Sequence, residues 1–228
     1  MRGYELQRSK RKTVSVIIRD GALTVRAPLK TPRAAIDKFV ESKEAWIADK
    51  LARHAETALA LKDVADCKAV LLYGGTYPIA FSDAVKKIEL RPESLAVPFK
   101  LAANGKNSDN AALKRALGRW LKNTAAAELS RRLDDVSVRC AIPYAGFKLT
   151  NAKTKWGSCD NKGVIRLNWR LIMTEPFLTD YVIIHELCHT LYHNHSSKFW
   201  AEVAKLIPNY KSVRSLLKRR SAITMLYR

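Results

Sequence analysis

No stretch of this sequence approaches the roughly 18 to 20 apolar residues needed to span a bilayer. Its four cysteines, Cys67, Cys140, Cys159 and Cys188, are scattered and form no C-x-x-C pair. The first twelve residues, MRGYELQRSKRK, are polar and basic and hold no secretory apolar region. These absences exclude a membrane-spanning helix and a disulfide-stapled scaffold, and they predict a cytoplasmic protein with reduced thiols. With 228 residues the chain can bury a core without such staples. A Gly-rich phosphate loop, a Walker lysine, internal repeats and low-complexity tracts are all missing.

Acid is also scarce, with 21 Asp+Glu against 41 Lys+Arg and a formal charge of +20. Such a surface attracts anions, among which nucleic acid, nucleotides and acidic protein segments all qualify. Residues 211–228 hold six basic residues, Lys211, Arg214, Lys218, Arg219, Arg220 and Arg228, and no acid. That tail reads as a basic amphipathic helix, open to anion binding or simply solvated.

The pattern along the chain is α+β. Residues 13–19 and 22–27 are rich in β-branched side chains around Asp20-Gly21, which predicts a hairpin. Thr31-Pro32 then offers a cap and a first-turn proline for one helix running to about Leu61. Four short strands follow, at 69–73, 77–81, 87–90 and 95–100, expected to form a small mixed sheet. Residues 102–110 are poor in apolar side chains and mark a linker. The chain therefore divides into an N-terminal α+β module over 1–103 and a second domain over 110–228. In the latter, residues 111–133 carry Leu113, Leu117, Leu121, Leu129 and Leu133 at helical spacing. Residues 147–156 and 164–169 flank a loop and predict a second hairpin.

The chemistry concentrates in what comes next. Thr174-Glu175-Pro176 supplies a capping residue, a first-turn acid and an early proline for a helix that contains His185-Glu186-Leu187-Cys188-His189. Histidines four apart share a helical face, so His185 and His189 can aim two imidazoles at one tetrahedral ion. Glu186, about 100° further round, can address a water on that ion without becoming a ligand. Chance would place H-E-x-x-H in roughly 0.5% of chains with this many His and Glu. Moreover, four of the five histidines fall between His185 and His195, so accident is a poor explanation. Catalytic zinc takes three protein ligands and leaves one position open. His195, just past the helix and before the capping pair Ser196-Ser197, is the better placed third ligand, with His193 as its rival. The spacing from His185 to His195 equals that of the metzincins, but Tyr192 stands where their glycine reverses the chain.

On these residues the chain resembles the YgjP-like family of metal-dependent hydrolases, zincin-type metallopeptidase relatives allied to the SprT-like proteases. The shared segments include Lys155-Trp-Gly-Ser-Cys159, Gly163-Val-Ile-Arg-Leu-Asn-Trp-Arg-Leu171, the helix from Asp180 to His189, and Asn194-His-Ser-Ser-Lys-Phe-Trp200. The resemblance implies a zincin-like metallopeptidase domain after the N-terminal module, His185, His189 and His195 as metal ligands, and Glu186 as the catalytic residue. The family commonly has Arg where this chain has Lys155, which keeps the charge and loses the fork geometry.

The expectation is a zinc-dependent hydrolase, most simply a metallopeptidase, holding one ion, with other divalent metals able to occupy a histidine site. His193, Tyr192, Tyr181, Lys155 and Arg166 are candidates to orient ligands or touch substrate. A second reading is hydrolysis of nucleotide phosphoanhydrides, with Lys153, Lys155, Lys162, Arg166 and Arg170 gripping phosphate. A third is a DNA-associated protease or nucleic-acid-binding module acting through the basic surface.

Overall fold

The computed structural model describes residues 3–19, 21–102 and 111–227. Asp20, most of the expected linker (103–110) and Arg228 lie outside them. The architecture is α+β, as the pattern predicts, and it forms two compact units, Met1–Lys62 and Asp63–Arg228.

The first unit is a three-stranded sheet carrying helices. Strands β1 (Glu5–Ser9), β2 (Ser15–Arg19) and β3 (Ala22–Pro28) lie in the order β1-β3-β2. The antiparallel pair β2–β3 is the expected hairpin: Arg19 faces Ala22 across two residues, and Gly21 takes the positive φ, 76°, that such turns require. Strand β1, parallel to β3, is not anticipated, because its one inward apolar residue, Leu6, is too little alternation to read. The single helix expected from Thr31 is two, α1 (Arg33–Glu41) and α2 (Glu44–Ala60). Between them the Ser42 hydroxyl donates to the Phe39 carbonyl, and the Ser42 and Lys43 amides close the last turn on Lys38 and Val40. Leu23, Val25 and Ala27 from the sheet bury against Ile36, Val40 and Ile47 from the helices.

A short turn of helix, α3 (Lys62–Ala65), leads into the second unit. The expected mixed sheet is present as β4 (Ala69–Leu72), β5 (Gly75–Ser82), β6 (Glu89–Leu90) and β7 (Leu95–Pro98), in the order β4-β5-β7-β6. It belongs to the same compact unit as the C-terminal part, Asp63–Arg228. The reason is at the β4–β5 turn. There the Tyr73 amide donates to the Ile172 carbonyl at 2.6 Å, and Gly74 lies so close to Glu175 that a Cβ would sit 2.8 Å from its Cγ.

Helix α4 (Ala111–Cys140) outruns its expected end at Leu133 by seven residues, with Val136 still buried in its face. Leu117, Leu121, Leu129 and Leu133 are fully buried, each contributing about 1.5–3 kcal/mol of burial. Next come β8 (Gly146–Thr150), β9 (Gly157–Cys159) and β10 (Val164–Asn168) in the order β8-β10-β9. The second hairpin is therefore β9–β10 alone, and the earlier half of the expected strand, β8, runs parallel to β10. The reversal is built on Asp160, whose carboxylate accepts from the Lys162 and Val164 amides at 3.0 Å, and on Gly163 at φ +76°. A short 3-10 segment, Trp169–Met173, leads to α5 (Pro176–Leu191), α6 (Ser197–Leu206) and α7 (Tyr210–Arg219).

Candidate metal centre

The start of α5 departs from its sequence signature. Pro176 is the first helical residue, but the cap position falls to Glu175, which makes no capping bond with its side chain. Thr174 turns inward to the Leu171 carbonyl, and Glu175 pairs with Arg220. That ion pair consumes one of the six basic groups of the tail. The helix is fixed to α4 by Arg132, whose guanidinium donates to both Asp180 oxygens at 2.6 and 3.0 Å and to the Pro176 carbonyl.

With α5 so held, His185 and His189 project from one face of its C-terminal half, His189 in the last turn. The chain leaves the helix at Tyr192 with φ −136° and ψ 103°, an extended conformation that any residue adopts. No glycine is needed at this reversal, which accounts for the metzincin-like spacing without the metzincin glycine. Ser196 then caps α6, its hydroxyl accepting from the Phe199 amide, as the sequence predicts.

The result is a cluster in which His185, His189 and His195 each offer a ring nitrogen, all within 4.8 Å of one another. The Nε2 atoms of His185 and His195 are 3.1 Å apart. Two nitrogens about 2.0–2.1 Å from a tetrahedral zinc would be about 3.3 Å apart, so this spacing fits a shared ion. His189 has its tautomer fixed, because a carbonyl can only accept: its Nδ1 donates to the Tyr192 oxygen at 3.0 Å, leaving the Nε2 lone pair free. His185 Nδ1 is buried with no hydrogen-bond partner. Burial, then the neighbouring imidazoles and Arg214, push the His185 pKa down to about 3, so it stays in the neutral form that can ligate. His189 is held low as well, chiefly by burial. Beneath all three rings lies Phe199, fully buried, at 4.4–5.0 Å between centroids.

Glu186 packs against β9. It is 5% exposed, and burial raises its pKa to about 7 against the pull of Lys155 and the Cys159 amide, which donates to it. Gly157 makes room for it: a Cβ there would meet the Glu186 carboxyl oxygen at 2.7 Å. Sequence reading missed this role of Gly157, although an isolated glycine in a strand is the usual signal of close approach.

The other candidates separate. Tyr181 is buried one turn before His185, with ring centroids 6.0 Å apart. Tyr192 serves through its backbone carbonyl, and His193 is exposed, outside the three-histidine cluster. Lys155 is exposed near Glu186. Arg166 is bound to Asp160 at 2.9 Å. Arg170, expected beside the site, is fully buried and donates to the Leu226 carbonyl and Asn151 while lying over Trp169.

Three converging imidazoles, with a buried carboxyl on the residue after the first of them, form the donor set expected of a metal-dependent hydrolase. The chain belongs to the YgjP-like family: the model for its metallopeptidase domain matches residues 12–220. Metal-dependent peptide hydrolysis is the activity of that class. The crystal structure of the metallopeptidase zymogen of Pyrococcus abyssi abylysin aligns with a TM-score of 0.36 at 24% identity, over 39% of this chain and 90% of that one. That likeness is too weak to carry fold or activity across. No curated protein matches the sequence.

Proposed function

We propose that this chain is a zinc-dependent peptidase in which His185, His189 and His195 hold one ion and Glu186 is the general base and acid. The observation that carries the reading is the convergence of three ring nitrogens within 4.8 Å, with a buried carboxyl on the residue next to His185. When bound, zinc supplies positive charge that polarises the scissile carbonyl and acidifies water.

The protein's own groups do the rest. With a pKa of about 7, the Glu186 carboxylate can take the proton from attacking water and return it to the departing amine, since accepting and donating are both accessible near neutral pH. The Cys159 amide and the wall at Gly157 fix where that carboxyl points. Strand β9, which carries both, is the edge of its sheet, and an extended peptide can pair along it. Phosphoanhydride hydrolysis is less well supported, because Arg166 and Arg170 are committed elsewhere.

Glu186→Gln tests the assignment. It should retain zinc at one equivalent and lose about 10²–10⁴ in kcat on unstructured peptides. Full hydrolysis by the zinc-loaded variant would remove Glu186 from the mechanism.

A further inference from the structure

Arg214 sits beside the three-histidine cluster. It is exposed on α7, and its guanidinium carbon lies 5.0 Å from the centroid of the Trp200 ring. Trp200 in turn stacks on Tyr210 (5.1 Å, 16°) and on His195 (5.6 Å, 27°). The charge is close enough to help depress His185 and to act on Tyr181.

Nearby arginines are neutralised: Arg132 by Asp180, Arg166 by Asp160 and Arg220 by Glu175. Arg214 makes no hydrogen bond or ion pair among the described residues, and α7 contains no acid. Its placement does not help to retain a metal, since a guanidinium repels a neighbouring cation. What it does provide is a planar fork of five N–H donors, placed over the Trp200 ring and making no hydrogen bond or ion pair among the described residues. That is the geometry which takes a carboxylate in two-pronged fashion.

Resting on the peptidase reading, we propose that Arg214 is a specificity residue that grips a carboxylate of the substrate, so that the enzyme selects peptides bearing one near the scissile bond. The carboxylate can come from an acidic side chain or from a free C-terminus, and the +20 charge of the chain draws such substrates in.

The test measures binding rather than turnover. Zinc-loaded Glu186→Gln protein is titrated by fluorescence anisotropy with two matched peptide pairs, one differing by Glu against Gln and one by a C-terminal acid against its amide. The carboxylate member of one pair should bind about tenfold more tightly, and the pair that responds names the source. Adding Arg214→Gln should abolish the difference, while Arg214→Lys should keep part of it. Equal affinities within both pairs, or a preference that survives Arg214→Gln, would overturn the proposal. So would Arg214-dependent displacement of the acidic peptide by a nucleoside triphosphate at lower concentration than by unlabelled peptide. Zinc content of the same samples and wild-type cleavage of a neutral peptide report separately on the peptidase reading, which can fail while the carboxylate preference stands.

Discussion

A carboxyl group that is 5% exposed and titrates at about 7 defines the behaviour of Glu186. In the metal-free protein its folded pKa stands above the ordinary 4.5, so its contribution to stability is intact below that pH and lost as pH climbs through 7. Glu186→Gln cannot ionise. Thermal melts of the two metal-free proteins should therefore diverge in favour of the variant between pH 5 and pH 8, and a constant gap would contradict the buried environment. Gly157 gives a second prediction at this scale. Gly157→Ala places a methyl 2.7 Å from the Glu186 oxygen and must displace the carboxyl, so hydrolysis should fall about 10²-fold while zinc stoichiometry is unchanged. Equal kcat for the two proteins would show that the carboxyl's position is not critical. That His185 and His189 share one helical face was legible from spacing alone, because i, i+4 geometry is local. Gly157 and Arg214 were not, since each acts across a contact between elements distant in sequence.

At the scale of elements, the third histidine depends on how α5 ends and α6 begins. Ser196 caps α6 directly after His195, its hydroxyl accepting from the Phe199 amide. Ser196→Ala should cost about 1 kcal/mol of stability and weaken zinc affinity, measured by chemical denaturation and by competition with a chelator. Unaltered affinity would mean that His195 is positioned by Phe199 packing alone. The pairing of Arg132 with Asp180 performs a similar service for α5 against α4. Boundaries and pairings at this scale were only partly readable. The β9–β10 reversal was expected, whereas the parallel β8 and β1 pairings, and the split into α1 and α2 at Ser42, depend on partners remote in the chain. Thr174 looked like a cap because Ser and Thr before proline usually are. Its hydroxyl instead satisfies the buried Leu171 carbonyl.

Across the whole molecule, composition gives the charge, and the chain forms the compact units Met1–Lys62 and Asp63–Arg228. The sheet from β4 to β7 looks like part of the N-terminal module in sequence, yet its β4–β5 turn is bonded to the segment preceding α5. No helix among the described residues is long and apolar enough to cross a membrane, and the four cysteines are free. A ligand that binds only the folded state stabilises it by mass action, by about 2.7 kcal/mol at a hundredfold excess over Kd. Stripping metal with a chelator should accordingly lower Tm, and the loss should be smaller in His195→Ala, which has less zinc to lose. The central claim, three imidazoles on one cation, is tested most directly by X-ray absorption at the zinc edge of the purified protein. Three imidazole nitrogens at about 2.0 Å and one further light atom are expected. A sulfur scatterer at about 2.3 Å, or protein that takes up no zinc, would contradict it.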